Sequence, residues 1–67
     1  MTKNEVLKSL IEGLNDQRKR LVVELSDLDP SNMQYLAKET TLNNAIMNID
    51  NQISMRINDL EIGNQHE

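Results

Sequence analysis

The chain has 67 residues, a net charge of −4, no cysteine, and a single histidine, His66, beside its C-terminus. A chain this short buries too little surface to be comfortably stable alone, and usually relies on disulfides, a metal or a partner. Disulfides are excluded, zinc has neither thiolates nor a second imidazole to hold it, and the acidic balance runs against phosphate-rich partners.

Apolar residues make up 37% of the chain, with Tyr35 the sole aromatic, so aliphatic side chains at regular spacing must form any core. The charge is uneven. Residues 1–28 hold five basic and five acidic side chains, whereas residues 29–67 hold two and six. No apolar run is long enough to span a bilayer, and the N-terminus lacks the hydrophobic block of a signal peptide. A soluble, cytoplasmic protein with no membrane partner is expected.

The opening Thr2-Lys3-Asn4-Glu5 has the spacing of a capping box, in which Thr2 and Glu5 each bond the other's backbone N–H. Asn4 is an alternative cap. A first helix is expected over about 3–28. Leu7, Ile11, Leu14, Arg18, Leu21, Leu25 and Leu28 alternate steps of four and three, the seam of a heptad repeat. Val6, Leu10, Val22 and Val23 lie off the seam and widen the stripe, so this helix should touch more than one neighbour. Gly13 falls on the outer face and costs about 1 kcal/mol relative to alanine.

The turn is expected at 28–31. Pro30 disfavours the helical conformation in Asp29 and is well placed as the first residue of a second helix, with Asp29, or else Ser31, as its cap. That second helix is expected over about 30–62, ending at Gly63, with residues 63–67 a disordered tail. Its seam is Leu42, Ile46, Ile49, Ile53, Arg56 and Leu60, led in by Met33 and Leu36 and flanked by Ala45 and Ile57. Counting outward from the turn sets Leu25 near Leu36, Leu14 near Met47 and Leu7 near Ile53. Ile57, Leu60 and Ile62 would then project past the first helix without cover.

The fold expected is all-α, an antiparallel two-helix hairpin assembling as a homodimeric four-helix bundle. Its oligomer or partner interface would use Leu7, Ile11, Leu14, Arg18, Leu21, Leu25, Ile46, Ile49, Ile53, Arg56, Ile57 and Leu60. Arginine within an apolar seam costs stability and often fixes register. Arg18 and Arg56 should pair with Glu39, Asp50 or a partner's carboxylate, or else lay their stems over the core and reach water. Five asparagines, poor helix formers, fall between Asn43 and Asn58, so packing must hold the second helix. Met33, Met47 and Met55 are adaptable contact residues.

Other chemistries find little support. Asp27-x-Asp29-x-Ser31 has the spacing of the first calcium ligands of an EF-hand. The sharp-turn glycine would however fall on Asn32 and the bidentate glutamate on Lys38. There is no nucleophile beside a base, no phosphate loop and no metal triad. Neither an enzyme, a cofactor nor a small-molecule substrate is expected. A binding protein acting through protein–protein contacts, as regulator, inhibitor or assembly adaptor, is the first reading.

Arg18-Lys19-Arg20 is the one basic run, with Lys3 and Lys8 on the same helix. Together with the opening Met1-Thr2-Lys3, Glu5 and the Leu28-Asp29 corner, the plan resembles the Rop-type RNA-binding four-helix bundles of plasmids, two-helix chains of this size that dimerise. That resemblance implies a nucleic-acid-binding regulator using Lys8, Arg18, Lys19 and Arg20. Glu12, Asp16, Glu24 and Asp27 dilute this basic surface, and no aromatic is placed to stack on bases.

Overall fold

A computed structural model describes residues 2–65 as two helices, α1 over Lys3–Ser26 and α2 over Tyr35–Gln65, packed against each other as a hairpin. The chain is all-α. It forms a slim rod, 54 × 16 × 12 Å along its principal axes. None of its described helices is long and apolar enough to cross a membrane.

α1 starts where the capping box places it. The Glu5 N–H donates to the Thr2 hydroxyl at 3.1 Å, and the Thr2 N–H donates to the Glu5 carboxylate at 3.4 Å. All seven seam positions from Leu7 to Leu28 are buried or half-buried, so the four-and-three spacing does mark the side turned to α2. α1 ends at Ser26, two residues before the expected boundary. There the Asp27 N–H is shared between the Val23 and Glu24 carbonyls, at 3.0 and 3.2 Å, and Leu28 bonds Leu25 at 3.3 Å. These shorter bonds tighten the last turn and unwind the helix ahead of the proline.

The corner differs most from expectation. Asp29 does not cap α2. Its carboxylate accepts from the Ser31 N–H at 3.0 Å and the Ser31 hydroxyl at 2.8 Å, and the Asn32 N–H closes a β-turn onto the Asp29 carbonyl at 3.0 Å. Pro30 is thus the second residue of a turn, where its fixed φ is equally at home, rather than the first of a helix. Asn32 then makes a second turn. Its side-chain oxygen accepts from the Gln34 N–H at 2.8 Å, and its carbonyl accepts from Tyr35 at 3.0 Å. Helical bonding begins only with the Lys38 N–H to the Gln34 carbonyl, at 2.9 Å. Short polar side chains satisfied by their own backbone compete with the helix, and here they delay it by five residues.

The delay shifts the pairing. Arg18, which a tight corner would set near Asn43, instead donates from Nε to Asp50 Oδ1 at 2.7 Å. The facing positions have moved outward along α2 by roughly one to two turns. Leu36, expected opposite Leu25, is 72% exposed, and Met33 in the corner is fully exposed. Tyr35 and Glu39 occupy the first two seam positions of α2 in their place, with the Tyr35 hydroxyl donating to Glu39 at 2.8 Å. At the other end α2 draws level with α1, and Leu60 is half-buried rather than left overhanging. α2 also continues through Gly63 to Gln65, where a tail was expected. Neither Asn64 nor Gln65 is a proline, so nothing there stops the helix. His66 and Glu67, like Met1, lie outside the described residues.

Candidate partner-binding surface

The hairpin uses most of its expected interface on itself. Leu7, Ile11, Leu14, Leu21 and Leu25 on α1 pack towards Ile46, Ile49, Ile53 and Leu60 on α2, yet only Leu7 and Ile49, at 6% and 8% exposure, are buried among the described residues. One helix can cover one side of a stripe, and this stripe is wider than that.

The two seam arginines behave differently. Arg18 makes the interhelical pair with Asp50, both side chains half exposed, so the bond fixes register more than it adds stability. Arg56 does not reach across. It lies 3.7 Å from Asp59 within α2 and its residue is exposed.

The basic run does not converge into a patch. Arg20 is held 2.9 Å from Asp16, and Arg18 by Asp50. Lys8 and Lys19 are exposed on one side of α1 while Arg20, the next residue after Lys19, points roughly 100° away. Half of the expected phosphate contacts are engaged with carboxylates.

Apart from Met33 in the corner and Val23 on the outer side of α1, the exposed apolar side chains fall on two faces. In an antiparallel pair, residues just preceding the seam positions of both helices share one face of the hairpin, and residues just following them share the other. Val22, Leu36, Met47 and Ile57 follow seam positions and dot one face. Val6, Leu10 and Met55 precede them and, with Ile62, lie on the other face towards the open end of the hairpin. That second face holds Gly13 and Gln17 at mid-length, and at the corner it opens into a cleft of about 700 Å³. Leu28, Ala37 and Leu42 wall the cleft, with Glu24 and Asp27 on its α1 rim and Lys38 on its α2 rim.

This cleft was not legible from the spacing of apolar residues alone. It exists because α2 starts late, leaving the first turns of α2 beyond the last turn of α1. The one signal in the sequence was Asn32, a turn-forming residue sitting where the early helix would have run.

Two groups have shifted acidities. The Ser31 backbone N–H, then its hydroxyl, hold the Asp29 carboxyl below its ordinary value. The hydrogen bond to Glu39 and the charge of that carboxylate push the Tyr35 phenol up. Both bonds are local braces at the corner rather than chemistry aimed at a ligand. No protein-family model, curated protein or solved structure matches this chain.

Proposed function

We propose that this chain is a non-enzymatic binding protein that acts through protein–protein contact, first with a second copy of itself as a four-helix bundle. In that assembled form it would serve as a regulator, inhibitor or assembly adaptor. The observation that carries this reading is the mismatch between the apolar surface the hairpin presents and the little it buries. Among the described residues ten large apolar side chains are exposed, against two that are buried.

Area gives the same answer. The chain exposes 5305 Å². A compact folded monomer of its mass would expose roughly 4,300 Å², so about 1,000 Å² is in excess. A stable interface removes about 800 Å² from each partner. One copy docking on another therefore accounts for the surplus without any further partner.

Light scattering tests this. A dimeric mass at micromolar concentration is expected, and a monomeric mass with full helical circular dichroism would refute it. Leu21→Asp, which places an unpaired charge in the seam, is expected to abolish folding and assembly together. The nucleic-acid reading is the weaker one, since Arg18 and Arg20 are already paired. A mobility shift at micromolar protein in low salt would revive it.

A further inference from the structure

We propose that two copies pack head to tail through the face that carries Gly13 and Gln17, the open-end apolar cluster of each filling the corner cleft of the other. This rests on the self-association proposed above and specifies its geometry.

Three features of that face support it. The first is shape. Val6, Leu10 and Ile62 stand exposed at one end, and an unfilled cleft walled by Leu28, Ala37 and Leu42 lies at the other end of the same face. A two-fold axis across the middle of the rod brings each cluster onto the other copy's cleft. The contact is made twice, as an isologous interface requires. An open-end-to-open-end arrangement would instead join the clusters and leave both clefts empty.

The second is charge. Under the head-to-tail operation α1 runs antiparallel along α1 of the second copy, crossing near Gln17, and α2 likewise runs along α2. Counting outward from that crossing places Lys3 about 6 Å along the axis from Asp27 of the second copy and Asp59 about 8 Å from its Lys38, within reach of the long lysine side chains. Each rim of the cleft then meets the opposite sign.

The third is Gly13. A glycine inside a helix costs about 1 kcal/mol relative to alanine. Nothing inside the hairpin requires one there, because a Cβ on Gly13 would meet no atom within 4 Å. It lies on the proposed contact face one turn from the crossing, where two α1 backbones approach most closely. A missing side chain there allows that approach.

The chain has no cysteine, so single cysteines report the geometry cleanly. In full-length Gln17→Cys, the two thiols face each other at the two-fold axis. Mild oxidation is expected to convert most of the protein to a disulfide-linked dimer. In Leu10→Cys the thiols lie roughly 20 Å apart along antiparallel helices, too far to bridge, so it should remain uncrosslinked. Both positions are exposed in the hairpin, so neither change disturbs its fold. Filling the cleft with Ala37→Arg is expected to raise the dimer Kd at least tenfold. A dimeric mass with Leu10→Cys crosslinking and Gln17→Cys inert would overturn the head-to-tail arrangement while leaving self-association intact. A monomeric mass would overturn both.

Discussion

Tyr35 is the only aromatic in the chain and reports on its own hydrogen bond. Its hydroxyl donates to Glu39, and both that bond and the carboxylate's charge favour the protonated phenol, raising its titration point. Because the folded value lies above the unfolded one, near 10, the stabilisation is complete below that pH and is lost as pH rises through the folded value. Glu39→Gln removes the charge and is expected to bring the tyrosinate absorbance midpoint down towards the ordinary value. An unmoved midpoint would show that Glu39 does not hold the phenol. Asp29 has the opposite sign. Its lowered folded value means that the brace to Ser31 is present above the unfolded value and fails as pH falls through the folded one.

Among elements, α1 was almost fully legible, because its seam from Leu7 to Leu28 and its capping box rest on local spacing alone. The seam of α2 was legible from Leu42 to Ile53 and in Leu60, and the same spacing run backwards from Leu42 passes through Glu39 and Tyr35. Met33 and Leu36 are more apolar and drew the reading instead, but hydrophobicity does not decide a face when a turn intervenes. Asp29 and Asn32 each had two local uses, helix cap or turn brace, and nothing local chooses between them. The two positions can be separated by mutation. Leu36→Glu should change stability by no more than about 0.5 kcal/mol, since the side chain already lies in water. Leu42→Asp should unfold the hairpin, as seen by loss of helical circular dichroism. Equal effects from the two would return the start of α2 to Pro30.

At the scale of the molecule, the charged Arg18 in the seam acts as a register mark. Aliphatic seams of similar residues tolerate slippage by a heptad, and Leu14 or Leu21 would pack acceptably against several isoleucines of α2. The bond to Asp50 distinguishes one alignment from the others at little net energetic benefit. That alignment was not legible beforehand, because it depends on the length of the corner, which pattern alone does not give. The same late start of α2 brings its C-terminal half level with α1 and opens the cleft at the corner.

The corner also orders events in time. Contacts between Leu28 and Leu42 close a short loop, whereas those between Leu7 and Leu60 close nearly the whole chain, and closure cost grows with loop length. The hairpin should therefore zip from its corner outward, with the open end joining last. Leu42→Ala is expected chiefly to slow folding and Leu60→Ala chiefly to speed unfolding, measured by temperature jump at several protein concentrations. The braced turns at Asp29 and Asn32, which cost the molecule about one and a half turns of helix, would then serve as the nucleus from which the rest of the rod assembles.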